Sequence, residues 1–445
     1  MKLAGFVNPA SFLFSVRTPR VGFEPTTCGL EVRCSIQLSY RGKIGLPVAR
    51  GLRIGFNRGM IAHRWKPLAL FLMVFAISSQ ATGQEVAIRV MTFNIEDVRY
   101  AEAREPGNKR LERIAEVIQR VRPNVLLLNE IELFTGTGIH MSTAHHFIKN
   151  YLTVSQGQGL EPIEFTSRLL GSNTGIATGL DLDGSGTAEI LVPERTARQN
   201  AEQRAYGADC FGFGTFPGQY AMSLLVDPEL KIDRDGIRTF QSFLWKDLPG
   251  AMGPTNKDGS AYYSENAWDI FRLSSKNFAD VPIVMPNGSV VHALISHPTP
   301  PAFDGPEMKN KHRNRDEIRL IREYIDGNDS LYDDTGARGG LEAGASFVIL
   351  GDLNADPVDG SSIGDPIVEF LFGSDRVGEF PAPRSEIGVD RLDATDTSSF
   401  RLRVDYVLPS ADLMVLDSGV WRHGVKHGFA SDHFPVWVDL IVPAP

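Results

Sequence analysis

The chain has 445 residues, of which 42% are hydrophobic and 22% charged, and its formal net charge is −9. This length allows one large domain or two ordinary ones, and the composition is that of a soluble globular protein. Residues 1–83 hold 11 of the 45 Lys and Arg and 2 of the 54 Asp and Glu, which leaves 34 basic and 52 acidic residues, a net charge of −18. Such an acidic body argues against non-specific attraction to DNA or anionic membranes, but it allows a local basic cleft or phosphate binding through a metal ion.

The first 59 residues differ from everything that follows them. They are rich in Arg, mix Pro and Gly freely, and show neither a helical nor a strand period. We interpret residues 1–59 as a mispredicted or disordered N-terminal extension and place the true start at Met60.

Residues 60–83 have the pattern of a secretory signal peptide. A short basic start with Arg64 and Lys66 precedes an apolar stretch, and small residues follow at positions that suit a cleavage site. The apolar stretch is too short to span a bilayer comfortably, and no later segment is apolar enough to do so. We therefore expect a mature start near Gln84, no stable membrane anchor after cleavage, and a secreted or periplasmic protein. An uncleaved membrane anchor is the alternative.

Cysteine usage excludes an intramolecular disulfide in the expected mature protein. Cys28 and Cys34 lie in the first 83 residues, so only Cys210 remains. The core, together with any bound metal, must then stabilise an exported fold without covalent cross-links. A buried, unreactive thiol is the expected role of Cys210.

The order strand, helix, strand occurs twice along the expected mature chain. Apolar alternation predicts the strands, and apolar residues at helical spacing predict the helices. The segments are 85–97, 107–123 and 124–132 in the first block, and 290–301, 313–326 and 347–357 in the second. Two more strands are predicted within residues 401–409 and 431–442. We therefore expect an α/β fold.

Each of these strands carries polar residues at or near one end. They are Asn94 and Glu96, Asn129, Glu130 and Glu132, His297, Asp352 and Asn354, Asp405, and Asp432 and His433. Strands that end at one rim of a sheet bring such residues together, and residues i and i+2 of a strand point to the same side. Asp352 and Asn354 are therefore expected to face one pocket. We interpret Glu96 as solvated and leave both Glu96 and Glu132 out of the predicted site.

The ordered segments TFNIE, LLLNEIE, ISHP, GDLNADP, DYVLP and SDH, spread over residues 86–441, resemble the endonuclease/exonuclease/phosphatase superfamily. That superfamily includes pancreatic-type deoxyribonuclease, abasic-site endonucleases, inositol polyphosphate 5-phosphatases and neutral sphingomyelinases. Asn129 stands where the family usually has Gln, but the metal-binding Glu130 is retained. The resemblance implies that residues 84–445 form a four-layer α/β sandwich, in which two mixed β-sheets pack face to face with helices outside.

A divalent cation is the cofactor that the resemblance implies. Glu130, Asn94 and Asp432 would hold Mg²⁺ or Mn²⁺, since hard oxygen ligands suit these ions better than zinc. A possible second site for a structural Ca²⁺ is the acidic segment with Asp181 and Asp183. The alternative for that segment is an acidic surface turn.

The resemblance also implies catalytic roles. Asp352 would orient and deprotonate the attacking water, and Asn354 would hold that water or a phosphate oxygen. His297 and His433 would donate hydrogen bonds to the non-bridging oxygens. Asp405 would orient His433 and favour its charged form, because a nearby carboxylate raises a histidine pKa.

The substrate is less closely defined by the sequence. Local positive charge in residues 297–319 makes Arg313 and Asn314 candidates for binding substrate phosphate, with a solvated helix start as the alternative. The absence of basic stripes with interleaved aromatics favours a small phosphoester slightly. An extracellular deoxyribonuclease or endonuclease of the same fold is the alternative, and a non-catalytic binding module is a further one. No obligate protein partner is evident.

Overall fold

The computed structural model describes residues 84–134, 142–196, 198–423 and 428–445. The predicted extension (1–59) and signal peptide (60–83) lie outside the described residues. Within the described ranges, no helix combines the length and the apolar character needed to cross a membrane.

Two six-stranded sheets form the centre of the described fold. The first has the order β11-β12-β1-β2-β4-β3, and the second has the order β10-β9-β8-β7-β5 with β6 also paired to β7. The strands are β1 Val86–Val98, β2 Val125–Ile131, β3 Thr166–Leu169, β4 Met222–Val226, β5 Lys231–Ile232, β6 Arg238–Thr239, β7 Phe278–Val284, β8 Val290–Ser296, β9 Ser346–Asp352, β10 Asp405–Pro409, β11 Met414–Val420 and β12 Val436–Val442. Both sheets are mixed, because β1 and β2 are parallel, β8 and β9 are parallel, and their other neighbours are antiparallel.

Helices connect the strands on the outer faces. The α-helices are α1 Tyr100–Ala103, α2 Lys109–Val121, α3 Thr143–Phe147, α4 Ala201–Ala208, α5 Glu265–Ile270 and α6 Lys309–Ile325. Short π-helical turns cover Ile148–Leu152 and Ile367–Phe372, and a 3₁₀ turn covers Trp245–Asp247.

Three apolar clusters show that the fold has four layers. One cluster lies between the sheets and includes Leu127 of β2 and Leu350 of β9. The neighbouring residues of the same two strands point outward, and a cluster on each outer face packs the sheet against helices α2 and α6, respectively. Because both faces of each central strand are covered, these strands are apolar throughout rather than alternating with polar residues. The predicted four-layer α/β sandwich is confirmed.

Local sequence explains where α2 begins and ends. The side chain of Asn108 accepts hydrogen bonds from the backbone N–H groups of Arg110 and Leu111, which caps the first turn. The predicted stripe of Leu111, Ile114, Ile118 and Val121 is buried. Arg122 then adopts a left-handed conformation directly before Pro123, a residue that disfavours continued helix.

The only cysteine in the described residues, Cys210, is buried as predicted. Its thiol donates to the carbonyl of Tyr206 at 3.2 Å. Burial raises the pKa of the Cys210 thiol to about 12, so the reactive thiolate is disfavoured at neutral pH.

Candidate active site

Both sheets contribute polar side chains to one shared rim. From the first sheet come Asn94 of β1, Glu130 of β2, and Asp432 and His433, which precede β12; from the second come Asp352 of β9, His297 after β8, and Asp405 of β10. In the second sheet, the register of β10 and β9 places Asp405 directly opposite Asp352. These are the predicted strand-end residues, so the prediction that strand ends bring them together is correct.

Asp352 is the centre of this group. The Asn94 amide nitrogen lies 3.0 Å from Asp352 Oδ2 and 3.0 Å from Glu130 Oε1, so it donates to carboxylates from both sheets. His297 Nε2 lies 3.5 Å from Asp352 Oδ2, and His433 Nε2 lies 3.7 Å from the same oxygen. The Asp352 side chain is only 1% exposed. These contacts fix the carboxylate in one orientation.

Gly351 brings β9 close enough to β8 to hold this arrangement. Its φ is +150°, and a Cβ at this position would lie 1.9 Å from the carbonyl oxygen of Ser296. No side chain fits at that distance, so the glycine of the GDLNADP segment is required by the approach of the two strands. The next residues are Asp352 and then Asn354, whose own φ of +53° lies in the left-handed region that Asn tolerates.

Strain is concentrated at the same rim. Glu130 has a φ of +63°, and Glu96 and Asp97 have φ values of +55° and +49°. Left-handed conformations are uncommon for such residues and persist only where surrounding contacts stabilise them. The backbone N–H of Asp97 donates to Glu130 Oε2 at 3.1 Å, which is one such contact.

Burial perturbs the protonation of Asp352. It raises the pKa of this carboxyl, Asp405 raises it further, and His433 together with hydrogen bonds from Asn94 and Asn354 opposes the rise, which leaves the pKa at about 6. Asp352 is therefore mostly ionised at neutral pH and still basic enough to take a proton. A carboxylate with these properties suits a general base.

The two histidines differ in charge. Burial alone would lower the pKa of His433, but the carboxylates of Asp405 and Asp352 raise it to about 10. His433 Nδ1 lies 2.8 Å from Asp405 Oδ2, so the imidazolium is held in place by this ion pair. In contrast, burial lowers the pKa of His297 well below its usual value, and Lys276 lowers it further. At neutral pH the site thus contains one cationic and one neutral imidazole.

Replacing Asp405 by Asn is expected to shift the alkaline limit of activity toward lower pH. The charged form of His433 persists until the pH rises through its folded pKa of about 10, and Asp405 is the strongest group that raises this pKa. Without that carboxylate the imidazolium loses its proton at lower pH, so kcat/KM falls earlier as pH rises. The measurement is kcat/KM between pH 5 and 11 for both proteins.

A matched control for this experiment lies in the same sheet. Asp280 lies 2.8 Å from His292 Nδ1, in a second His–Asp pair away from the rim. Asp280→Asn should leave the shape of the pH profile unchanged. An Asp405→Asn profile identical to that of the wild type would contradict the assigned role of Asp405.

The donor set fits a hard divalent cation. Ligand atoms of Glu130, His297 and Asp352 lie within 4.8 Å of one another, and so do those of Asp352, Asp405 and His433. Burial raises the pKa of Glu130, and Asp405 Oδ1 is buried without a hydrogen-bond partner. A bound cation stabilises buried carboxylate oxygens that lack a hydrogen-bond or ion-pair partner. Oxygen ligands suit Mg²⁺ or Mn²⁺. Bound there, such an ion would reduce the charge repulsion between a phosphoester and an attacking hydroxide.

Asp432 lies at the edge of the site rather than in these two clusters. Its side chain is 46% exposed, and its Oδ1 is 4.0 Å from His433 Nε2. The prediction that Asp432 ligates the metal stays a prediction.

Glu96 is exposed, in agreement with the interpretation that it is solvated, and its carboxyl lies near that of Asp432 at the edge of the rim. Burial raises the pKa of its carboxyl, and the nearby carboxylate of Asp432 raises it further. Lys276, two residues before β7, is a rim residue that the sequence did not indicate.

The structure does not support substrate contact by Arg313 and Asn314. The guanidinium of Arg313 is buried and donates to the carbonyls of Leu273, Phe211 and Arg272 at 2.8, 2.5 and 3.0 Å.

The Asn314 amide nitrogen is fully buried and donates to the carbonyls of Thr299 and Leu353, at 2.9 and 3.0 Å. The Asn314 side chain thus stabilises the loop after Asp352 through its hydrogen bond to Leu353. Both side chains use their hydrogen-bond donors within the fold, because α6 directs them into the interior. They therefore do not lie on a solvated helix start, which was the alternative.

Arg313→Ala is consequently expected to reduce stability without changing KM. Loss of the guanidinium leaves buried carbonyls without donors, which should destabilise the fold by about 2–4 kcal/mol. Chemical denaturation measures this change, and steady-state kinetics at a temperature where the variant is folded measures KM. A raised KM with unchanged stability would restore the substrate-binding prediction.

The predicted calcium segment forms a second acidic group. Ligand atoms of Asp181, Asp183 and Asp209 lie within 4.8 Å of one another. The carboxylate of Asp181 already accepts hydrogen bonds from the backbone N–H groups of residues 184–186. A structural Ca²⁺ there stays a prediction.

Comparison with known proteins gives the family. Residues 91–433 match the Endonuclease/Exonuclease/phosphatase family. The chain belongs to this family. Its fold is that of metal-dependent phosphoesterases and nucleases. Asp352 and the rim residues that surround it all lie within the matched range.

Solved structures of the endonuclease/exonuclease/phosphatase family are similar to this chain over most of its length. A protein of Beutenbergia cavernae is 17% identical, with 81% of this chain and 72% of that chain covered and a TM-score of 0.44. A protein of Bacteroides vulgatus is 13% identical, with 80% and 98% covered and a TM-score of 0.41. The human Nocturnin catalytic domain is 13% identical, with 80% and 96% covered and a TM-score of 0.43. A search of curated proteins found no match.

Proposed function

We propose that this protein is an exported hydrolase that cleaves small phosphomonoesters or phosphodiesters with the help of Mg²⁺ or Mn²⁺. The observation that carries the proposal is the buried Asp352 carboxylate, which Asn94 connects to Glu130 while two histidines of different charge face it. A purely structural cluster has no need of a basic carboxylate, a cation and a neutral imidazole around one oxygen. A metal-assisted attack of water on phosphorus uses all three.

Asp352 acts as the general base in this proposal. As the water oxygen attacks phosphorus, a water proton passes to the Asp352 carboxylate and the bond from phosphorus to the leaving oxygen breaks. Asn354 would hold the water, and the hydrogen bond from its backbone N–H to Asp352 Oδ1 at 3.0 Å supports this role. Its side-chain nitrogen donates to the carbonyl of Pro298 at 3.1 Å, which leaves the amide oxygen as an acceptor.

The histidines bind the phosphoryl oxygens. His433 is cationic and fixed by Asp405, so it contributes a charged hydrogen bond to a non-bridging oxygen. His297 is neutral and contributes a weaker one through Nε2, the nitrogen that faces Asp352. Groups that are already oriented toward developing negative charge stabilise the transition state without reorganisation.

The charge of the chain supports a small substrate over a long nucleic acid. Residues 84–445 carry a net charge of −18, which opposes the extended phosphate contacts that supply most of the affinity for DNA. A single phosphoester needs only the local site. We favour small phosphoesters on this ground.

Export is the second part of the proposal. Residues 60–83 have the signal-peptide pattern, and β1 begins at Val86, two residues after the expected mature start at Gln84. Expression of the full gene in a bacterium with an intact secretion system tests this part. Mass spectrometry of the exported protein should find an N-terminus near Gln84, whereas a full-length protein retained in the cell contradicts export.

The decisive experiment compares three substrates. Purified protein is incubated with p-nitrophenyl phosphate, bis-p-nitrophenyl phosphate and plasmid DNA, each with Mg²⁺, Mn²⁺ or a chelator. Metal-dependent cleavage of the small esters supports the proposal. Cleavage of plasmid alone would replace it by an extracellular nuclease. If none of the three substrates is cleaved although the metal still binds, the result would indicate the non-catalytic binding module.

A further inference from the structure

A long connection joins two strands that a tight turn could join. β3 and β4 are antiparallel neighbours, with Leu169 opposite Ser223, yet 52 residues, 170–221, lie between them. We call these residues the β3–β4 connection. Because β-hairpin loops usually have about two to five residues, most of this connection is not needed to reverse the chain. The connection enters β4 at the rim, since Met222 lies opposite Asn129 of β2.

The last residues of the connection are fixed to the end of β2. The backbone N–H of Leu133 donates to the carbonyl of Gly218 at 2.8 Å, and that of Ile131 donates to the carbonyl of Ala221 at 3.1 Å. Gly218 has a φ of +83°, and a Cβ there would lie 2.7 Å from the carbonyl oxygen of Leu133, so the close approach requires glycine. Gln219 lies between these two attachment points and is fully buried.

The side-chain amide of Gln219 connects this segment to β1. Its oxygen accepts from the backbone N–H and the hydroxyl of Thr215, at 2.8 and 2.9 Å. Its nitrogen donates to Asp97 Oδ2 at 3.0 Å. Arg99 Nη2 donates to the same oxygen at 2.8 Å, and Arg99 Nη1 donates to the carbonyl of Thr196 at 3.4 Å. The connection thus holds the Asp97 carboxylate directly through Gln219 and indirectly through Arg99.

Asp97 belongs to a bulge of β1 that lies beside Glu130. The register of β1 and β2 shifts by two residues between Asn94 and Val98, and Glu96 and Asp97 take up this shift in left-handed conformations. Bulges redirect the groups of a strand and are common next to active sites. Here the bulge directs the backbone N–H of Asp97 to Glu130 Oε2, at 3.1 Å. The orientation of the Glu130 carboxylate therefore depends on a strained backbone at Asp97.

The side-chain contacts of Asp97 stabilise this bulge. Left-handed conformations of residues other than glycine persist only where surrounding contacts hold them. The two side chains that hold the Asp97 carboxylate differ in burial, because the Arg99 side chain is 25% exposed and Gln219 is 0% exposed. Gln219 is also fixed by Thr215 and by the backbone on either side. It is consequently the more rigid of the two partners.

We propose that Gln219 is a positioning residue for Glu130. The Gln219 amide holds the Asp97 side chain, which keeps the bulge in place, and the backbone N–H of the bulge orients the Glu130 carboxylate for a divalent cation. Groups that orient a metal ligand strongly affect metal affinity. The β3–β4 connection is then a support of the metal site. This inference rests on the proposed function, because it takes Glu130 as a ligand of Mg²⁺ or Mn²⁺.

A charge-adding variant separates positioning from electrostatics by the sign of its effect. Gln219→Glu keeps an oxygen for Thr215, removes the donor to Asp97 and adds a negative charge. Added negative charge by itself strengthens the binding of a cation, whereas a displaced bulge weakens it. We expect the Mn²⁺ affinity of the full protein, measured by electron paramagnetic resonance, to fall about tenfold. An affinity equal to or above that of the wild type would overturn the proposal.

Gln219→Met tests the same hydrogen bond without a change of charge. Mn²⁺ affinity should again fall about tenfold, and the metal concentration for half-maximal turnover should rise by a similar factor. Gln119→Met is the matched control, since Gln119 is 1% exposed in α2 and its amide nitrogen donates to the carbonyls of Leu152 and Val154. The control should lower Tm and leave Mn²⁺ affinity unchanged. Equal Mn²⁺ affinity in Gln219→Met and the wild type would contradict the assigned role.

A double variant shows whether Gln219 acts through Glu130. In a Glu130→Gln background, Gln219→Met should change Mn²⁺ affinity by less than about twofold, because the ligand that it positions is already impaired. A further loss as large as in the wild-type background would show that Gln219 acts by another route, and the proposal would fail. If the variants change Mn²⁺ affinity as expected but the wild type hydrolyses no ester, the proposed function fails while this assignment stands.

Discussion

Asp352→Asn is expected to lower kcat/KM by about 10³-fold or more, the upper part of the range for loss of a general base. An amide keeps the size and most contacts of the carboxylate, but it cannot accept the water proton. The variant should unfold at a temperature no lower than that of the metal-free wild type, because it removes a buried carboxyl whose pKa is already raised to about 6. Steady-state kinetics and thermal unfolding together separate lost chemistry from lost structure.

A second buried aspartate provides the comparison. Asp316 is fully buried in α6 and accepts from Trp245 Nε1 at 2.7 Å and from the backbone N–H of Met252 at 2.6 Å. Asp316→Asn should leave kcat/KM close to the wild-type value. Retention of more than a tenth of the activity by Asp352→Asn would exclude Asp352 as the base.

The second large effect concerns metal affinity. Glu130→Gln should weaken Mn²⁺ binding by about 10²-fold, since a neutral amide oxygen is a much poorer ligand for a hard cation than a carboxylate. Activity at a low, fixed metal concentration should be lost, and it should recover in part as the metal concentration is raised. Titration of Mn²⁺ by electron paramagnetic resonance measures the affinity independently of turnover.

Glu132 is a matched control two residues further on. It is 1% exposed, and its carboxylate accepts from the backbone N–H of Tyr100 at 2.8 Å and pairs with Arg195 at 2.9 Å. Glu132→Gln should change stability and leave Mn²⁺ affinity unaltered. If the two variants bind Mn²⁺ equally well, Glu130 is not a ligand.

These two pairs of variants test different parts of the site. Loss of metal affinity in Glu130→Gln with normal protein stability would support the donor set. Loss of turnover in Asp352→Asn with normal metal affinity would support the base. If both variants behave like an active wild type, Glu130 is not a metal ligand and Asp352 is not the base.

The strands and helices that build the site could be predicted because their signals are local. In α2, Leu111, Ile114 and Ile118 repeat at helical spacing, and the helix ends at a proline boundary. In β9, an unbroken apolar run indicated a strand covered on both faces, and GDLNADP marked its end. The polar ends of the strands then predicted the rim, because the carboxyl ends of neighbouring strands meet there.

Residues outside these patterns could not be placed in the same way. Lys276 precedes β7, where a lysine is ordinarily solvated, and only the antiparallel pairing of β7 with β8 brings it to the rim. Arg313 seemed available to substrate because several basic residues surround it in sequence, yet α6 turns it inward to three backbone carbonyls. Sequence neighbours on a helix point in different directions, so a local run of charge does not show which side chain is exposed.

The sequence by itself determined the α/β class, the order of strands and helices, and the identities of Asp352, Glu130, His297 and His433 as rim residues. Periodicity and strand-end chemistry are short-range properties, so they can be followed along the chain. Only the tertiary structure decided that His297 is neutral, that Arg313 supports the fold, and that Lys276 stands beside Asn354. Those properties depend on burial and on charges contributed by strands far apart in sequence, and such neighbours are set only when the two sheets pack.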